Sequence, residues 1–269
     1  MRNDNQIKLK KKIHLSRTYR RLKVDRVSQN LYLFLWVIPF LIIFLYTYSI
    51  ITFFLTDLAY FSLLPYLSMD EMGKVYSDFL PYFGGVYHLT LPDVVAPDNR
   101  FIAANMIFSL IIFLVCVSGR RSGHPLSIFV SMAVFIHMVS CIYFIFAPDY
   151  FPYTNSDYSE LYIKQQVGIW LSFLSISGLI TAFLGIGSIF RRIQTFIAIM
   201  LYSFSFGIIR YIVFLFILSK VSVLYMALMF FSFGPFFDFL YLVYIYGLYV
   251  EKVISVSESQ EGKGVWEWS

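Results

Sequence analysis

Residues 31–55 read LYLFLWVIPFLIIFLYTYSIITFFL, a run with no Asp, Glu, Lys, Arg or His in it. About 20 consecutive apolar residues cross the hydrocarbon of a bilayer as a helix, and this run exceeds that. The apolar part of a cleavable leader has about 7–15 residues, so the run is read as an uncleaved first span. On its N-terminal side lie ten of the chain's 21 Lys and Arg, among them Lys8, Lys10, Lys11, Lys12, Arg17, Arg20 and Arg21. A basic segment immediately before a span has the anionic lipid surface as its usual partner, and no nucleic-acid partner is expected from it.

The composition repeats the message of the run. The chain has 269 residues, 59% hydrophobic and 14% charged, with a mean hydropathy of +0.71. A soluble domain is typically about 45–50% apolar and about 25% charged, so lipid is the solvent for much of this surface. Five further apolar runs follow, over 101–117, 126–146, 166–190, 195–218 and 223–250. The fold class expected is all-α: a polytopic helical membrane protein with about six transmembrane helices. Its parts would be a basic cytoplasmic tail (1–30), a six-span domain (31–250) with one large outer loop (56–100), and a polar cytoplasmic tail (251–269).

Charge sets the orientation. With the N-terminus inside, sixteen of the 21 Lys and Arg fall on the inner side, and only Lys74, Arg100, Lys164 and Lys220 fall outside. Lys and Arg near span ends favour the cytoplasmic face, which predicts both termini inside and points to a bacterial inner membrane. Span four carries Gly178, Ala182 and Gly185 on one helical face, a pattern that admits close approach of a neighbouring helix. Asp157 with Glu160 has the spacing of a helix-starting box. In the outer loop, Met69, Met72, Val75, Tyr76, Phe79 and Leu80 recur at helical spacing, so an amphipathic helix over 69–82 lying on the outer leaflet is expected.

Three ionisable residues fall inside spans: His137, Arg210 and Asp238. Each is costly in hydrocarbon and so a functional suspect. Counted from span midpoints, His137 and Asp238 lie at similar depth, which predicts a buried His137–Asp238 pair, either a tie between spans three and six or a proton site. Arg210 is expected to snorkel outward from span five, with a headgroup or substrate phosphate as its ligand if it faces inward instead. Gly234-Pro235 predicts a kink in span six one turn before Asp238. Phosphate-loop, HExxH, GxSxG and CxxC patterns do not occur, the two cysteines lie within apolar runs, and no metal or cofactor is expected. Two functions follow. The preferred one is a non-catalytic membrane component of a larger assembly for export, secretion or envelope biogenesis, with membrane protein partners. The alternative is a small proton-coupled carrier or lipid-handling protein using His137, Arg210 and Asp238, which requires the three side chains to converge on one cavity.

Overall fold

The computed structural model describes residues 20–22, 26–67, 72–92, 97–119, 125–183, 189–258 and 266–268. In chain order these form β1 (Arg20–Leu22), α1 (Arg26–Tyr32), a π-helical turn (Leu33–Val37), α2 (Ile38–Leu63), β2 (Gly73–Leu80), β3 (Gly84–Thr90), α3 (Asn99–Gly119), α4 (Pro125–Phe146), α5 (Asn155–Phe183) and α6 (Ile189–Lys220). A 3-10 turn (Val223–Tyr225), α7 (Met226–Leu228), a second π turn (Met229–Phe233), α8 (Pro235–Glu258) and β4 (Trp266–Trp268) complete it. Six runs are long and apolar enough to cross a membrane: Gln29–Leu63, Asn99–Ser118, Leu126–Phe146, Asn155–Ala182, Ile189–Lys220 and Val223–Lys252. Large apolar side chains such as Phe34, Phe54, Ile107, Val115, Phe135 and Phe146 stand exposed on these helices, as lipid-facing surfaces require.

Proline explains the two π turns. Pro39 and Pro235 are imino acids that cannot donate to the helix ladder, and a proline ring collides with the carbonyl four residues back. In both spans the chain widens before the proline: Leu33–Val37 ends two residues before Pro39, and Met229–Phe233 ends two residues before Pro235. Ile38 accordingly donates its N–H to the Leu33 carbonyl, five residues back. At Pro235 the helix breaks outright, and Gly234 leaves helical geometry at φ −75°, ψ −92°.

The chain divides into two compact units, residues 1–41, 173–200 and 241–269 in one and 42–172 with 201–240 in the other. In the first, Tyr32, Val37 and Ala182 form a buried cluster flanked by Leu33, Trp36 and Ile193. The Tyr32 and Thr181 hydroxyls hydrogen-bond at 3.2 Å. Gly178 lies against Val37 so closely that a Cβ would overlap the valine, as a small residue at a helix contact implies. Gly185, the other glycine of the expected stripe, lies outside the described residues. Arg192 is buried with its guanidinium 5.9 Å from the Tyr32 ring. The terminal segments pair antiparallel, Arg20 opposite Trp268 and Leu22 opposite Trp266.

In the second unit residues 72–92 correct the expected amphipathic helix, of which 69–71 lie outside the described residues. They form a β-hairpin, β2 paired antiparallel with β3 from Gly73↔Thr90 to Leu80↔Gly84. Apolar residues at 72, 75, 76, 79 and 80 fit a helical face, but the decisive signal is the punctuation around them. Gly73 opens the strand, and Pro81-Tyr82-Phe83 followed by Gly84-Gly85 turns it, with positive φ at Tyr82 (72°) and Gly84 (103°). The bundle closes the outer edge of β3 with side-chain hydroxyls. The Tyr87 N–H donates to Thr52 Oγ1 (3.2 Å), the Leu89 N–H to Ser159 Oγ (3.2 Å) and Tyr211 Oη (3.1 Å), and the Leu91 N–H to Ser156 Oγ (3.0 Å). Thr56 donates in turn to the Tyr87 carbonyl at 2.9 Å. Buried backbone groups must find partners, and here α2, α5 and α6 supply them.

The start of α5 also shifts by one motif. Its cap is Thr154, whose Oγ1 accepts from the Asp157 N–H (3.1 Å), while Asp157 Oδ2 accepts from the Thr154 N–H and hydroxyl, both at 2.8 Å. This is a reciprocal capping box with Asp157 in its last place rather than its first. Glu160 instead pairs with Lys164 at 2.6 Å.

Candidate functional site

Within the second unit the sequence leaves one unusual opportunity, the broken helix at Gly234-Pro235. The break frees carbonyls from the ladder, and freed carbonyls away from water need donors. Arg210 on α6 supplies them. Its Nη1 donates to the Phe233 carbonyl at 3.1 Å and to the Gly234 carbonyl. Nη2 donates to Asp238 Oδ2 and to Gln166 Oε1, both at 2.7 Å, and Nε donates to Tyr162 Oη at 3.2 Å. A guanidinium has five N–H donors, and these five bonds use all of them.

The surrounding geometry is built for this residue. Tyr162 and Gln166 are one turn apart on α5 and so share a face. The Tyr162 hydroxyl donates in turn to the Gly207 carbonyl at 3.0 Å. Gly207 has no side chain where one would crowd Gln166, since a Cβ there would come within 2.9 Å of the amide. The Phe206 ring lies 5.3 Å from the guanidinium, close enough for a cation–π contact. Asp238 falls in the first turn of α8, where the helix dipole favours a negative charge. Arg210 is 5% exposed and Asp238 1%. A buried ion pair is tolerable when the remaining donors and acceptors are also met, and Arg210 meets that condition.

This overturns two expectations. Arg210 does not snorkel; it faces inward. Asp238 is paired with Arg210 and not with His137. His137 stacks on Tyr225, ring centroids 5.0 Å apart and planes 4° apart, and Tyr225 donates to Asn105 Oδ1 at 2.7 Å. The Nδ1 of His137 has no hydrogen-bond partner among the described residues. Matching depths by counting from midpoints fails because the two spans are offset along their length, the middle of α4 packing against the start of span six through His137 and Tyr225. Tyr225 stands at the level of His137, and the thirteen residues to Asp238 carry it roughly 20 Å further along the span. A cleft of about 690 Å³ beside α4 is lined by residues including Phe135, Ser140, Tyr143, Phe151 and Phe231, and none of His137, Arg210 and Asp238 lines it. The three candidates therefore do not converge on it.

Tyr162 and Gln166 carry no formal charge and do not stand out in the sequence, although Tyr158, Tyr162, Gln166 and Trp170 recur every four residues in a span and so mark one face. Among the described residues no group of three His, Cys, Asp or Glu is placed to hold a metal ion. Cys116 and Cys141 are free thiols.

Outside the spans, His88 on β3 is buried and its Nδ1 lies 3.3 Å from Ser77 Oγ. Burial holds its pKa below the ordinary value of 6.5, against an opposing pull from Glu160. The unfolded chain therefore takes up a proton more readily than the folded hairpin. Hairpin stability is expected to be full above pH 6.5 and to fall as the pH drops from there towards the lowered pKa. Amide hydrogen exchange of β3 at pH 7.5 and 5.5 checks this, and His88→Gln should flatten the dependence.

Compared with models of known protein families, with curated proteins and with solved structures, the chain matches none. Among the described residues the fold defines the class: an all-α polytopic membrane protein with six helices long and apolar enough to cross a membrane, a β-hairpin (β2–β3) and the terminal β1–β4 pairing.

Proposed function

We propose that the chain is a non-catalytic integral component of a larger membrane assembly serving export, secretion or envelope biogenesis. It lies in a bacterial inner membrane with both termini in the cytoplasm, and residues 1–30 rest against anionic lipid headgroups. The observation that carries this reading is the closure of Arg210: all five donors end on the chain's own atoms, so this charged cluster in the membrane region offers no guanidinium donor to a cargo. The separation of His137 from Asp238 counts against the carrier reading on the same ground. The pairing of β1 with β4 supports an even number of crossings, and the Lys/Arg bias supports the inner side for both ends.

Mild extraction of the tagged full-length chain into lipid nanodiscs from its own membrane tests the proposal. A defined complex with other membrane proteins in constant proportion is expected. Recovery of the chain alone, together with proton-linked transport by the purified chain in vesicles, would overturn it. For orientation, a cysteine at Tyr153 should react with an impermeant maleimide added outside, and one at Arg121 only after permeabilisation. The reverse pattern would invert the topology.

A further inference from the structure

The hairpin has two edges, and the chain treats them differently. On β3 the outward N–H groups of Tyr87 and Leu89, and just past its end that of Leu91, are met by helix hydroxyls. The register pairs Val75 with His88 and Ser77 with Val86, and alternation along an antiparallel ladder turns the N–H and C=O groups of Lys74, Tyr76 and Asp78 away from β3. Those backbone groups have no partner among the described residues. Val75 and Tyr76 are 42% and 46% exposed. Natural edge strands are commonly guarded by an outstretched lysine or an inserted proline. Within β2 there is no proline, and Lys74 is drawn off the edge to Asp57.

The position of the strand makes the open edge matter. Lys74 meets Asp57, whereas at the turn the Gly84 carbonyl accepts from Tyr48 and Phe83 lies 5.5 Å from Tyr46. The hairpin thus runs roughly 14 Å along α2, beside the C-terminal part of the apolar run 31–55. Wherever that part of the run crosses the hydrocarbon, a strand edge beside it must find a partner other than lipid.

A second copy does not fit this edge. Two copies inserted in the same direction are related by an axis along the membrane normal, so both β2 strands descend together and cannot pair antiparallel. Parallel pairing in register would set Lys74 beside Lys74 and Asp78 beside Asp78, like charges that oppose it. With Lys74 held by Asp57, the charge left on the edge is the acid Asp78. We infer that β2 receives an extended segment of a different protein as a third strand along Lys74–Asp78, with a lysine or arginine opposite Asp78. This rests on the assembly reading and names how one partner is held.

Photo-cross-linking in native membranes tests it, with p-benzoylphenylalanine at position 76 of the full-length chain. The adduct should map by mass spectrometry to one short segment of another protein bearing a basic residue. Asp78→Pro removes an outward N–H that the hairpin does not use and should cut the adduct yield about tenfold. Asp78→Ala, which keeps that N–H, should cut it less, and thermal stability should be unchanged in both. A complex that still co-purifies while position 76 gives no adduct, gives adducts with lipid or with the chain itself, or gives an adduct indifferent to Asp78→Pro would overturn the strand and leave the assembly standing. Loss of any co-purifying partner would overturn both.

Discussion

Arg210→Ala is expected to be the most damaging single substitution in the chain, lowering stability in detergent by roughly 3–5 kcal/mol. It strands Asp238, which is 1% exposed, and takes the donor from the Phe233 and Gly234 carbonyls at the helix break. Asp238→Asn should cost less, about 1.5–3 kcal/mol, because Arg210 keeps Tyr162, Gln166 and both carbonyls. The double change Arg210→Met with Asp238→Leu should recover part of the loss, since no buried charge remains. Recovery should stop short of wild type, because the two carbonyls stay unmet at about 1–3 kcal/mol for each buried orphan. Thermal unfolding of wild type, Arg210→Met, Asp238→Leu and the double variant gives the cycle, and strictly additive losses would show that the two side chains are not coupled.

The second large effect is at Gly178. Leucine there must enter space already held by Val37, and overpacking of this kind costs about 1–3 kcal/mol. Gly168 on the same helix faces open space, with no atom within 4 Å of where a Cβ would stand, so Gly168→Ala should be neutral or slightly stabilising through helix propensity. Equal melting temperatures for Gly178→Leu and wild type would place residue 178 against lipid rather than against Val37.

The two glycines illustrate what the sequence could convey. Spacing marked Gly178 as a contact position, and hydropathy marked all six spans, because both depend on local periodicity and on the solvent. The break at Gly234-Pro235 was equally legible, since proline acts on its own backbone. The partner of Asp238 was not. Depth can be counted along a helix, but the direction a side chain faces depends on how each helix is rotated, and the π turn before Pro235 alters that rotation within span six. The hairpin escaped for another reason: Met72, Val75, Tyr76, Phe79 and Leu80 satisfy a helical period as well as a strand, and only the glycines and the tight turn separate the two. The closure of the β3 edge by Thr52, Ser159 and Tyr211 joins residues from three helices, a relation that no local pattern encodes.

If the Arg210–Asp238 cluster holds the fold and handles no cargo, its charges can be removed without loss of function once stability is restored. The most direct measurement is recovery of the native membrane complex by the double variant Arg210→Met with Asp238→Leu, made alongside its melting temperature. The double variant, more stable than Arg210→Ala, is expected to assemble with its partners at wild-type yield and to support the same cellular function. A double variant more stable than Arg210→Ala that regains its complex while that function stays abolished would contradict this, because the charges themselves would then be carrying out the chemistry.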